Sequence, residues 1–139
     1  MNDYEELLTR LKDIDLVNQI GGLLGWDQEV LMPPKAASLR AEQLSWISRT
    51  GHEKLTNPRI GELLKALEER NDLDEIQMGN IRLARDSYDK ATKLPTNFVA
   101  EMAMHKSKSQ ISWTRARAEN DFSIFRDDLS KMVEMSRNC

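Results

Sequence analysis

The sequence predicts an all-α chain of about five to six helices, paired as antiparallel helical hairpins. Three observations lead there. Apolar residues recur at spacings of three and four along nearly the whole chain, the period of helices with one buried face. β-branched and aromatic residues never alternate with polar ones over a strand-length run. The four prolines fall between the apolar stripes, where they end or start helices rather than interrupt them.

The elements follow in order. A first helix is expected from Asp3 to about Ile20, with Leu7, Leu11 and Ile14 on one face. Gly21, Gly22 and Gly25 each cost a helix up to ~1 kcal/mol against Ala. The apolar pattern nevertheless continues through LLGWDQEVLM, which allows the helix to run on to about Glu29. Pro33 and Pro34 stop it and suit the first turn of the next helix, where a missing N–H does no harm. That second helix is expected from about Pro34 to Thr50 or beyond, aligning Ala37, Ala41, Leu44 and Ile47, with His52 and Glu53 closing it. Asn57 suits an N-cap and Pro58 a first helical residue for a third helix, whose face is Ile60, Leu63, Leu64 and Leu67. NDLDE starts a fourth with the face Ile81, Ala84, Tyr88 and Ala91. The polar link before it is short enough to make helices three and four an antiparallel hairpin. Pro95 breaks the fourth helix, and a long fifth carries Phe98, Met102, Trp113 and Ala116. ENDF is a weak junction, followed by a last stripe of Phe122, Phe125, Leu129, Met132 and Val133. No repeat or linker divides the chain, so residues 1–139 are expected to form a single helical domain.

Composition narrows the function. With 40% hydrophobic and 31% charged residues, the chain is neither a disordered tail nor a membrane protein. No apolar run approaches the ~20 residues of a membrane span, and the acidic, amphipathic MNDYEELLTRLKD is unlike a secretory signal. The single cysteine, Cys139, cannot form a disulfide within the chain and fits a reducing compartment, so a cytoplasmic location is expected. A net charge of −3 argues against nucleic acid as a partner. Lys106, Lys108, Arg115 and Arg117 make a local basic patch, but Glu119 and Asp121 lie close by and the patch reads as a solvated face.

Few residues offer chemistry. GHEKLT, residues 51–56, spells the first two letters of a zinc-peptidase H-E-x-x-H helix, but Thr56 stands where the second histidine belongs. The only other histidine, His105, is far along the chain. A site joining His52 and His105 is the weakest of the readings, and a histidine near a helix C-terminus is the ordinary one. Ser109 lies one helical turn from His105, the spacing of a nucleophile and its base, but no oxyanion loop accompanies the pair. Among the carboxylates, Glu29, Glu68, Glu69, Asp72, Asp74 and Glu75 look solvated, while Asp27 lies in an apolar segment and suits a helix cap or a partner for Arg40. Trp26, Trp46 and Trp113 are expected in the core.

One segment carries more information. LLGWDQEVLMPPKAASLRAEQLSWIS, with Trp26, Asp27, Gln28, Met32, Pro33, Arg40, Ala41, Gln43 and Leu44, resembles the N-terminal signature of the carboxypeptidase Taq family of zinc metallocarboxypeptidases. HEKLTNPRIGELLKAL, YDKATKLPTNFVAE and SWTRARAENDFSIFRDDLSKMVEMSR are also similar to that family, so the resemblance covers nearly the whole chain. Arg126 departs from it, at a position where the family often has a proline. The resemblance implies a cytosolic, largely helical and usually dimeric enzyme that removes C-terminal residues from peptides. It implies zinc or another divalent metal, held by H-E-x-x-H and a downstream Glu. Neither is present in these residues, so the chain is expected to supply no catalytic and no metal-binding residue, to need no cofactor itself and to be inactive alone. Trp26, Asp27, Gln28, Met32, Pro33 and Arg40 are then structural signature residues. The expected role is an N-terminal part of a longer peptidase that forms a wall or lid of its substrate groove. Its partner would be the remainder of the peptidase or a second copy, with peptide substrate bound only by the full-length enzyme. The alternative is a free-standing helical interaction or self-association module without catalysis.

Overall fold

A computed structural model describes residues 1–139. Most helices begin where the sequence supplies a start signal. α1 (Asp3–Val30) opens on a capping box. There the Asn2 side chain accepts from the Glu5 N–H at 2.9 Å, and the Glu5 carboxylate accepts from the Asn2 N–H at 3.0 Å. A 3-10 turn, Pro34–Ala36, leads into α2 (Ala37–Leu55). α3 (Pro58–Glu68) has Pro58 in its first turn and Asn57 as its cap, accepting from the Arg59 N–H. α4 (Glu75–Thr92) starts with a second capping box, Asp74 with Gln77. α5 (Thr96–Glu119) follows Pro95 and ends at Asn120, whose φ of 52° gives the left-handed turn that Asn tolerates better than most residues. α6 (Ser123–Arg137) completes the chain, and there is no strand.

The expected boundaries hold closely for α3 and less so for α1 and α2. α1 is one helix through all three glycines to Val30, and α2 begins after the 3-10 turn and reaches Leu55. Packing explains part of the continuity of α1. A Cβ on Gly21 would lie 3.0 Å from Ile47 Cγ2, so the missing side chain is what lets α2 come this close.

The helices pack in two groups that share α1. In the first, the N-terminal half of α1 lies against the α3–α4 hairpin. Leu7, Ile14, Ile60, Leu63, Leu64, Leu67, Ile81 and Ala84 form one buried cluster, edged by Tyr4, Leu11, Leu55, Leu73 and Tyr88. Each fully buried Leu or Ile contributes about 1.5–3 kcal/mol relative to exposure. Polar contacts close the rim. Asn80 donates to the Tyr4 hydroxyl at 2.8 Å, and the Glu6 carboxylate accepts from Arg59 at 2.7 and 3.0 Å and from Arg10 at 3.0 Å.

In the second group α1, α2, α5 and α6 lie side by side in that order, each antiparallel to its neighbour. Small residues mark part of the α2–α5 contact, where Ser45 and Ala100 are both buried and the Ser45 hydroxyl donates to the Ala100 carbonyl at 2.9 Å. Small side chains permit the approach, and the hydroxyl is satisfied rather than buried alone. The expected apolar stripe of α6 is only partly covered: Met135 is buried, whereas Phe122, Leu129 and Val133 are exposed. α6 is the last helix of the layer and has a neighbour, α5, on one side only.

Two outcomes follow from this packing. Leu64→Ala should lower the unfolding free energy by about 2–5 kcal/mol in urea titration, because the site is fully enclosed. The Arg59 guanidinium, then that of Arg10, holds the Glu6 carboxyl down from its ordinary 4.5 to about 2. A lowered folded-state value gives stability that is complete above 4.5 and is lost as pH falls toward about 2. Glu6→Gln should therefore flatten the acid limb of stability against pH in that window. Both partners are partly exposed, so salt should flatten it too.

Candidate functional site

Asp27, Gln28, Met32, Pro33 and Arg40 lie together where α1 ends and α2 begins. Met32 is partly buried and Pro33 exposed in the turn between them. The Pro33 backbone is extended, with φ −61° and ψ 141°, and its carbonyl accepts from the Ala36 N–H at 2.9 Å. In the first turn of α2, Arg40 reaches back across the corner with all three guanidinium nitrogens engaged. Nη2 donates to Asp27 Oδ2 at 2.7 Å, Nη1 to the Leu24 carbonyl at 2.7 Å, and Nε to Gln43 Oε1 at 3.0 Å. The Arg40 side chain is 13% exposed, which strengthens the pairing relative to a surface one. Asp27 has a second duty: its carbonyl accepts the N–H groups of Leu31 at 2.9 Å and Met32 at 2.8 Å, which closes α1.

Gln28 ties the corner to α5. Its amide nitrogen donates to the Ser107 carbonyl at 2.9 Å, and its amide oxygen accepts from the Ser107 hydroxyl at 2.8 Å. Asp27, Gln28 and Arg40 thus lock three helices through four side-chain hydrogen bonds that leave α1, α2 or both. A shallow groove beside the lock is lined by Gln28, Met32, Ile111 and Arg115. Trp26 takes no part, being 55% exposed on the outer side of α1. The expectation of a tryptophan core is corrected here, since Trp46 and Trp113 are also exposed. All three occupy helix positions turned away from the neighbours within this chain. Ser107 and the Leu24 carbonyl are partners the sequence did not reveal. A serine between two lysines on α5 carries no pattern, and a carbonyl carries none at all.

Both histidines are used as struts. His52 in the last turn of α2 has Nε2 at 2.9 Å from the Ala91 carbonyl and Nδ1 at 3.0 Å from the Thr96 hydroxyl. A carbonyl only accepts, so Nε2 carries the hydrogen and the Nδ1 lone pair takes the Thr96 hydroxyl. The ring therefore pins α2 to the end of α4 and the start of α5. Thr56 donates to the His52 carbonyl at 2.8 Å, a helix-end contact. His105 is buried with Nε2 at 2.9 Å from the Asp128 carbonyl and 3.2 Å from the Ser109 hydroxyl. Since Nε2 must donate to that carbonyl, it has no lone pair with which to take the Ser109 proton. The pair holds α5 to α6 and is not a nucleophile with its base.

A metal does not fit these residues either. No group of three or more His, Cys, Asp or Glu side chains is placed to share an ion. A catalytic zinc commonly takes three protein ligands, and here both His52 nitrogens already have protein partners. Among the candidate carboxylates, Glu68 pairs with Arg85 and Asp72 with Arg70 at the surface, and Asp74 caps α4. Asp72 is accordingly held below the usual carboxylate range by Arg70. No helix is long and apolar enough to cross a membrane.

Comparison with known proteins identifies the family of the chain as a whole. The family description "Carboxypeptidase Taq (M32) metallopeptidase" matches residues 6–139. Thermostable carboxypeptidase 1 of Thermus thermophilus is 28% identical over 138 residues, and that of Pyrococcus furiosus 27% identical over 135. The chain spans about 27% of the length of either relative. Among solved structures, BsuCP superposes with a TM-score of 0.95 at 27% identity over 99% of this chain and 28% of its own. The M32 carboxypeptidase from Deinococcus radiodurans R1 superposes at 0.74 with 34% identity, over 98% of this chain and 27% of its own.

The lock can be tested by removing its centre. Arg40→Ala should cost about 2 kcal/mol in urea titration, because a charged hydrogen-bond network loses its donor. Arg115→Ala, which removes an exposed pair with Glu119, should stay within about 0.5 kcal/mol.

Proposed function

Since the chain belongs to the carboxypeptidase Taq (M32) metallopeptidase family, we propose that it is the N-terminal helical region of a metal-dependent enzyme that removes C-terminal residues from peptides. Its work in that enzyme is architectural. It forms part of the wall or lid of the substrate groove, narrowing access to short or unfolded peptides, and leaves the chemistry to residues outside these 139. The divalent metal, zinc or another, belongs to that other part, and the site of action is the cytoplasm. The observation that carries the reading is the combination of extent and content. The family match runs over residues 6–139, yet the chain spans about 27% of its relatives and brings no set of metal donors together.

A second reading is supported by one feature. Leu16, Ile20, Leu23, Val30 and Leu31 of α1 are half or more exposed, as is Trp26. A face of that kind suits a helical interaction module as well as a wall awaiting the rest of an enzyme. The two readings agree that the chain alone does no chemistry.

The test is direct. The purified chain, with zinc or cobalt supplied, should release no C-terminal residue from short N-blocked peptides above the blank. Calorimetry should detect no stoichiometric zinc binding. Chelator-sensitive release of C-terminal residues that is abolished in His52→Ala would contradict the proposal.

A further inference from the structure

We infer that the cavity at the closed end of the α3–α4 hairpin is a binding site for a small organic monocarboxylate that carries one apolar group. This concerns the chain by itself and stands independently of the peptidase reading. The cavity measures about 270 Å³ and lies beside the N-terminal half of α1, away from the Asp27–Arg40 corner. Its floor is apolar. Leu67 and Ile81 are buried, Leu73 packs against them from the link between the helices, and Met78 forms a wall that is 51% exposed. Met78, Arg82 and Arg85 follow one another at steps of four and three, so one face of α4 runs from the apolar wall to two guanidinium groups. Arg70 adds a third from the link.

Pairing around the rim sets the three arginines apart. Arg85 donates to the Glu68 carboxylate at 2.8 and 3.0 Å, and Arg70 is held by Asp72. Arg82 has no carboxylate within ion-pair distance and donates to no protein acceptor, so its N–H fork stands open at the edge of the floor. A planar carboxylate matches such a fork with two parallel hydrogen bonds. The lining carries three positive charges against one negative, Glu68, in a chain whose net charge is −3. Two other acids of the hairpin tip are engaged elsewhere, Asp74 as the cap of α4 and Asp72 on Arg70. Glu68 limits the ligand to a single negative charge, since a second would face that carboxylate across the cavity. The floor decides the rest. An acetate-sized anion would leave Leu73 and Met78 in water, whereas a branched alkyl or phenyl group covers them. The volume falls just short of the ~300 Å³ at which drug-sized sites begin, so the apolar group is a small one.

Titration of the full chain with 4-methylpentanoate, followed by amide and methyl NMR, should give saturable shifts centred on Leu73, Met78 and Arg82, with a dissociation constant in the millimolar range or below. Acetate, inorganic phosphate and the neutral amide 4-methylpentanamide should each bind at least about tenfold more weakly at the same ionic strength. Arg82→Gln should weaken 4-methylpentanoate at least about tenfold. Its circular dichroism should stay as in the wild type, since Arg82 is exposed and unpaired. Met78→Glu, which sets a negative charge on the wall, should abolish the saturable response. Arg117→Gln on α5, at an exposed site outside the cavity, should leave binding unchanged. Shifts that grow linearly without saturating overturn the inference. So does equal binding of acetate or phosphate, which would make the arginines a general anion patch. Equal binding of the amide overturns it too, as does affinity that survives Arg82→Gln.

Discussion

One helix carries two different burdens, and the rest of the structure depends on its doing so without a break. The N-terminal half of α1 buries Leu7 and Ile14 in the cluster built by α3 and α4. Its C-terminal half meets α2 through Gly21 and Asp27, and α5 through Gln28. The stretch that joins the halves contains Gly21, Gly22 and Gly25, each unfavourable in a helix by up to ~1 kcal/mol. Tertiary packing offsets that cost, as it does for most helices in proteins. The hairpin and the four-helix layer keep their relation because one uninterrupted helix belongs to both, with His52 and Leu55 of α2 as a second tie.

What the sequence disclosed and what it withheld divide along a physical line. Local signals were legible. Asn57 and Pro58 mark the start of α3, and the run Ile60, Leu63, Leu64 and Leu67 is buried as a unit. The Asp27–Arg40 contact was readable because a carboxylate in an apolar segment needs a partner and a nearby arginine offers one. The tryptophans were not. Periodicity shows that a helix has an apolar face, but not which element covers it. α1 has two such faces, and only the one bearing Leu7 and Ile14 finds a cover within this chain. Ser107 was hidden for a different reason: its role depends on how close α5 comes to α1, which is a tertiary fact.

The candidate chemistry dissolves for reasons that are equally physical. A histidine is free to bind metal or take a proton only with a lone pair to spare. At His52 the Ala91 carbonyl fixes the hydrogen on Nε2 and the Thr96 hydroxyl takes the Nδ1 lone pair, and at His105 the Asp128 carbonyl fixes the hydrogen on the nitrogen that faces Ser109. His52-Glu53 is thus a helix end inside a metallopeptidase family rather than a damaged metal motif. The residues on which the family resemblance was read lie elsewhere, in a corner where they do mechanical work. Arg40, Asp27 and Gln28 fix the angle at which α1, α2 and α5 leave one another.

The central claim is that α1 is a single rigid element from the hairpin to the corner. Amide hydrogen exchange resolved along Asp3–Val30 tests it most directly. The account predicts protection of similar size on the amides around Ile14 and on those around Leu24, both lost only in global unfolding. Amides beyond Gly21 that exchange by local opening, while those around Leu7 and Ile14 remain protected, would contradict it.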